Sequence, residues 1–238
     1  MSRIKKFFLK EFSRLHSFLK GGYYNILSEM LPLGLRGERC YIGQPSFITR
    51  PQCVFMHDYA CMGPYNVVLN NEGKLIMGKY SVAATGLRVV PDLHISTVGI
   101  PQCCLGASHI HDKVMDVIVE EDVWLGTNVT LLGGCHVRRG CIIGANTLVN
   151  KRTLCPPYSV IAGSPARIIA VKFNIEQILQ HEEKLYAPSD RLSPKELEEL
   201  FETFYKDKRV YGVDGNLTDE ERLRLERVMQ HKGVKLPD

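Results

Sequence analysis

Charge of neither sign dominates this chain. Thirty Lys+Arg against 26 Asp+Glu leave a formal net charge of +4 over 238 residues. That is too mild for a nucleic-acid surface, so no nucleic-acid partner is expected. No apolar run approaches the roughly 20 residues of a membrane span. Eight cysteines occur without the paired spacing of a disulfide framework. The N-terminal segment lacks the unbroken apolar stretch and cleavage-like site of a secretory signal. Free thiols in a reducing, cytoplasmic compartment are therefore expected. Hydrophobic content of 45% and charged content of 24% fit an ordinary globular domain with appendages.

What the chain does have is a period of six. Val119, Leu125, Leu131, Val137, Ile143 and Val149 are evenly spaced aliphatics, and Gly126 and Gly144 follow two of them. Six fits neither the 3.6 of a helix nor the 2.0 of a plain strand. It fits a parallel β-helix, in which every sixth side chain points inward and successive coils stack their aliphatics. Two positions earlier stand Val117, Val123, Val129, Cys135, Cys141 and Thr147. All are small or β-branched, as a tight corner requires, which makes Cys135 and Cys141 buried fillers rather than ligands.

The same phase runs through Ile42, Ile48 and Val54, with Ala60 next, and again through Met77, Ala83 and Val89. It slips between Cys61 and Leu75 and is lost from Val90 to Asp116. Each slip is expected to be a loop thrust out from a corner, where function concentrates. The second holds His94, His109 and His111.

Three regions follow. Residues 1–38 form a helical lead. Ile4, Phe7, Phe8, Phe12, Leu15, Phe18 and Leu19 lie on one face, and Arg3, Lys5, Lys6, Lys10, Arg14 and Lys20 on the other. This basic amphipathic segment either caps the open end of the solenoid, the preferred reading, or makes peripheral membrane contact through residues 1–20. Residues 39–171 are the solenoid, with Pro156, Pro157 and Pro165 punctuating its last turns. Residues 172–238 are a helical extension with helix starts at Ser193-Pro194 and Thr218-Asp219. Its stripes, Leu197, Leu200, Phe201, Phe204 and Leu223, Leu225, Val228, read as packing faces, with no sign of chemistry.

Three segments carry a resemblance: Asp122–Gly126, Ile142–Lys151 and Pro156–Arg167. They resemble the hexapeptide-repeat acetyltransferases, closest to the type B chloramphenicol, streptogramin and sugar O-acetyltransferase subgroup. Met77–Tyr80, Ala84–Gly86 and Lys172-Phe173 with Glu176 and Ile178 extend the likeness over residues 40–185. The resemblance implies an all-β solenoid, a left-handed parallel β-helix with N-terminal and C-terminal helical extensions. It also implies a homotrimer with sites between subunits, and acetyl-coenzyme A as donor with no metal. His94 takes the place of that family's general base, the role that activates an acceptor hydroxyl. Ile95–Thr97 departs from the family's pattern, which has an acidic residue nearby. Trp124 is implied near the thioester, Thr127 and Ala145 along the pantetheine arm, and Asn150, Lys151 and Arg167 at the nucleotide phosphates.

The acceptor expected is a sugar or surface-polysaccharide hydroxyl, with an antibiotic as the alternative small molecule. Two other classes stay open: a metal-dependent, carbonic-anhydrase-like protein and a non-catalytic scaffold. His109 and His111 are rivals to His94; alternation would put both on one side of an extended segment. With Cys103 and Cys104 they match no standard zinc spacing. His57 and His136 read as surface or structural residues, His136 pointing outward beside core-facing Val137.

Overall fold

The computed structural model describes residues 3–234, with side chains from Phe12 onward. From Leu35 to Val171 the chain winds as a left-handed parallel β-helix of triangular section. Strand pairing thus begins ahead of the expected boundary at 39. One face stacks Leu35–Arg36, Val54–Met56, Leu75–Met77, Val117–Val119 and His136–Val137. The second stacks Tyr41–Ile42, Cys61–Met62, Val82–Ala83, Trp124–Leu125, Ile142–Ile143 and Ser159–Ala162. The third stacks Phe47–Ile48, Val67–Val68, Arg88–Val90, Thr130–Leu132 and Leu148–Val149.

The inward columns explain why the coils hold. On the second face Met62, Ala83, Leu125, Ile143 and Ile161 are each at most 2% exposed. Burying a side chain of Val, Leu, Ile or Met size contributes about 1.5–3 kcal/mol, and each residue here has a like neighbour above and below. Corners need a left-handed backbone. Tyr59, Tyr80, Asp122, Gly140 and Tyr158 supply it before the second face, and Tyr65, Gly86, Asn128 and Asn146 before the third. The corner cysteines behave as fillers: burial pushes the Cys135 thiol up to about 12 and Cys141 up to about 11. All eight cysteines are free.

The two phase breaks differ. In the first, the 3-10 turn Pro51–Cys53 lengthens a corner, so that Met56, in register with Met77, takes the inward column two residues after Val54. Ala60 becomes a buried corner residue, and Met62 and Val68 take the inward places. The segment read as a loop is therefore mostly coil, and only residues 70–74 widen a corner. The second break is a true excursion. Asp92–Leu93 pairs antiparallel with Lys113–Val114, and α2 (Gln102–Ser108) lies between them. Gly133 lies against the point of departure: a Cβ there would sit 2.2 Å from the Pro91 carbonyl oxygen.

At the N-terminal end only the last turn of α1 (Arg3–Met30) caps the solenoid. Ser28 is buried and accepts from Ile42 N–H at 3.2 Å, while Arg36 donates to the Ser28 and Leu31 carbonyls at 2.9 and 3.0 Å. Among the described side chains the capping reading holds for that turn alone. Phe12, Leu15, Leu19, Tyr23, Ile26 and Met30 form one helical stripe that stays exposed in the single chain. The side chains of Ile4, Phe7 and Phe8 lie outside the described residues.

The other end is closed by Arg167–Val171, antiparallel to Ser159–Ala162, and then by α3 (Ile175–Leu185) and α4 (Pro194–Leu200). Ser193 and Thr218 cap α4 and α5 (Asp219–Lys232) through capping boxes, as expected. Leu197, with Leu200, Phe201 and Phe204, packs onto Tyr158, Val171 and Ile178. Leu223, Leu225 and Val228 on α5 remain exposed in the single chain.

Candidate active site

The excursion is anchored at its root by two carboxylates. Asp92 accepts from the Asn71 and Gly73 amides at 2.6 and 2.9 Å, and Asp116 accepts from Lys74 N–H at 2.9 Å. The widened corner and the excursion thus brace each other. His94 follows Asp92–Leu93 directly and is exposed.

His94 is not alone. Its Nδ1 lies 2.8 Å from Asp112 Oδ1, and His109 Nδ1 lies 2.8 Å from Asp112 Oδ2. The two rings are 5.6 Å apart, and the Asn71 amide lies 2.9 Å from His109 Nδ1. The His94 hydrogen bond, with help from His109, holds the Asp112 carboxyl below its ordinary value of 3.8. An ionised Asp112 accepting from Nδ1–H leaves the His94 Nε2 lone pair free, the arrangement a general base requires. Ile95–Thr97, just after His94, carry no acid, and Asp92 before it is taken up by the Asn71 and Gly73 amides. The chain supplies the carboxylate from eighteen residues downstream.

His109 and His111 do not share a side as alternation predicts. Both have left-handed φ, 55° and 58°, so the segment turns rather than extends. His109 faces Asp112, and His111 Nδ1 lies 3.2 Å from the Thr97 hydroxyl. His136 points outward, its Nε2 2.7 Å from Glu120 Oε1, and His57 is exposed.

The residues expected at the donor fall into two groups. Asn150 and Lys151 line a cavity of about 300 Å³ with Leu93, Met115 and Gly133; of the base candidate's segment, Leu93 lines it and His94 does not. Asn150 and Arg167 line a second of about 770 Å³, together with Arg152, Phe204 and Lys208. Arg152 and Lys208 add cations that sequence reasoning missed, and Lys208 comes from the extension, where no chemistry was expected. Trp124 stands elsewhere, on the second face between Val82 and Ile142, with Thr127 and Ala145 exposed at the corner that follows. They line neither cavity.

A bacterial transferase hexapeptide model of six repeats matches residues 116–151. Over those residues the chain matches the hexapeptide-repeat family. Among curated proteins, its sequence is 41% identical over 63 residues to a probable macrolide acetyltransferase of Lysinibacillus sphaericus, covering 26% of this chain and 34% of that protein. It is 44% identical over 70 residues to a putative lipopolysaccharide biosynthesis O-acetyl transferase of Escherichia coli (strain K12), covering 29% and 31%. The chain spans about a third of the length of the curated relatives it matches. Among solved structures, the solenoid superposes on a hexapeptide-repeat acetyltransferase of Vibrio cholerae O1 biovar eltor, crystallised with acetyl-coenzyme A. The TM-score is 0.52 at 19% identity, over 61% of this chain and 74% of that one.

Proposed function

We propose that this chain is an acetyl-coenzyme A-dependent O-acetyltransferase. The observation that carries the reading is His94: an exposed imidazole, its Nδ1 engaged by Asp112, next in the chain to Leu93, which lines the cavity of Asn150 and Lys151. His94 Nε2 takes the proton of an acceptor hydroxyl as that oxygen attacks the thioester carbonyl. The carbon–sulfur bond breaks, and the proton passes to the departing thiolate. With donor and acceptor held together, no covalent enzyme intermediate is needed. Lys151, Arg167 and Asn150 hold the donor phosphates.

The active unit is a homotrimer. Trp124, Thr127 and Ala145 lie on a different face from the cavities of Asn150, Lys151 and Arg167, so one protomer presents two half-sites. Packing one chain's second face toward another's third would join them. Light scattering at micromolar concentration tests this assembly; a fully active monomer would overturn it.

The acceptor is a sugar hydroxyl on a surface-polysaccharide precursor, and the enzyme works on the cytoplasmic side of a membrane. Two features support this: the similarity to the lipopolysaccharide O-acetyl transferase, and the exposed α1 stripe flanked by Arg14 and Lys20. Among the described residues no helix is long and apolar enough to cross a membrane, so the contact would be peripheral. The test is thiol release from acetyl-coenzyme A across sugar nucleotides, lipid-linked sugars, macrolides and chloramphenicol. Turnover confined to the antibiotics would replace the sugar reading with the drug reading.

A further inference from the structure

One imidazole and one carboxylate suffice to orient a base. The excursion holds a second imidazole, His109, on the other oxygen of the same carboxylate, and acyl transfer gives it no duty. One ligand atom each from His94, His109 and Asp112 lie within 4.8 Å of one another. The trio comes from two chain segments brought together by the Asp92–Leu93/Lys113–Val114 pairing.

We propose that His94, His109 and Asp112 form a binding site for a borderline divalent transition metal, zinc foremost, and that metal held there silences His94. Two imidazoles and one carboxylate suit zinc, cobalt or nickel, while magnesium and calcium prefer all-oxygen sets. Zinc–nitrogen and zinc–oxygen bonds of about 2.0–2.2 Å place neighbouring donors about 3.3 Å apart on a tetrahedral ion. Each Nδ1 is now 2.8 Å from its carboxylate oxygen, so those pairs open by about half an ångström, and the widest pair of the trio, within 4.8 Å, has at most about 1.5 Å to close. Asp112 is 13% exposed and firmly held, whereas the His94 and His109 side chains are 40% and 48% exposed, so solvent and ions reach them. Three protein ligands leave the fourth position to water.

The inhibitory consequence follows from the imidazole ring. A metal on Nδ1 moves the ring proton to Nε2, which then carries N–H and no lone pair. The ring cannot accept the acceptor's proton while the metal stays. For neutral rings no proton is released on binding; an imidazolium releases one. This inference goes beyond the acyl-transfer reading and is tested without it.

The experiment is calorimetric titration of chelator-treated full-length protein with zinc sulfate, with no acyl donor present. One zinc per chain is expected, with affinity falling at least about tenfold in both His109→Ala and Asp112→Asn. Circular dichroism confirms that the variants fold, and His109→Asn serves where Ala does not. Cobalt bound to the native chain should show ligand-field bands without thiolate charge transfer, unchanged in Cys103→Ser/Cys104→Ser. Three results would each overturn the site: no saturable binding below about 1 mM, native affinity in His109→Ala, or a thiolate band lost with Cys103 and Cys104. If zinc binds as described but His94→Ala keeps full acyl-transfer activity, the metal site stands and the general-base reading falls.

Discussion

The regular coils from Val117 to Val149 and the excursion from 90 to 116 are built on opposite terms. In the coils nearly every inward residue is fully buried, and the chemistry of each position is volume. In the excursion only Pro91 and Leu105 are buried, and His94, His109 and His111 face solvent. The coils tolerate nothing that changes their stacking but can carry many surfaces. The excursion contributes little core, yet it bears the cluster His94, Asp112 and His109, whose groups can move a proton. Stability and activity should therefore separate under mutation.

The largest expected effect is on activity alone. His94→Ala should lower turnover by roughly two to four orders of magnitude, with coenzyme A affinity and melting temperature little changed, since the ring is exposed. Equal losses from His109→Ala with His94→Ala near normal would hand the role to the neighbouring ring. The converse substitution lies in the coils. Leu131 is fully buried, and Leu131→Ala should cost about 2–5 kcal/mol of stability, read by thermal or denaturant unfolding. Per-molecule activity of the folded fraction should be near native. If the two signatures did not separate, the division between scaffold and site would fail.

Asp112→Asn sits on the boundary and should have a smaller effect, a fall in turnover of about tenfold with little change in KM. The loss falls on the chemical step, because the carboxylate that holds the His94 Nδ1–H and faces the charge developing on the ring is gone. Asp112 itself has a depressed folded-state pKa. Whatever stability its pairing gives is present above the unfolded value near 3.8 and is lost as pH falls through the folded value. A change confined to KM would mean the carboxylate does not act on the base.

The same division explains how much was legible in the sequence. A stacking column leaves a period because each coil repeats one environment, so the solenoid, its corner fillers and the outward His136 could be read directly. The turn Pro51–Cys53 adds two residues at a corner, which resets the phase without breaking the coil. Periodicity alone cannot tell such a step from a loop, so the stretch after Cys61 was misjudged. Asp112 was missed for a related reason. Its partnership with His94 depends on the antiparallel pairing across the excursion and on left-handed turns at His109 and His111, and neither leaves a repeat. Lys208 reaches the Asn150 cavity only through the packing of the extension; as one more cation in a polar tail it carried no signal.

The donor cations should give a weaker effect than the base. Lys151→Ala and Arg167→Ala should each weaken coenzyme A binding by about two- to fivefold, because both side chains are exposed and screened. The loss should be larger at low salt. Calorimetry on the native chain with coenzyme A and with dephospho-coenzyme A is the sharper arm. Equal affinity for the two would mean that neither cation meets the 3′-phosphate.

The smallest effect per chain is expected at α1, and assembly should magnify it. Phe12, Leu15 and Leu19 are 72%, 56% and 60% exposed, on the same stripe as Tyr23, Ile26 and Met30. Covering such a stripe with lipid recovers the burial that the solenoid does not provide, while Arg14 and Lys20 meet anionic headgroups. One helix would bind marginally. Three on a trimer convert later contacts into intramolecular ones, so avidity can make the sum useful. Vesicle flotation of the native chain should therefore show binding on anionic lipid and little on neutral lipid. Phe12→Ser/Leu15→Ser/Leu19→Ser should abolish it without altering thiol release from acetyl-coenzyme A on a soluble sugar acceptor. Flotation equal in the two proteins, or absent from both, would mean the stripe is covered by protein instead. A neighbouring copy would then be its occupant, and the polysaccharide acceptor would lose its physical support.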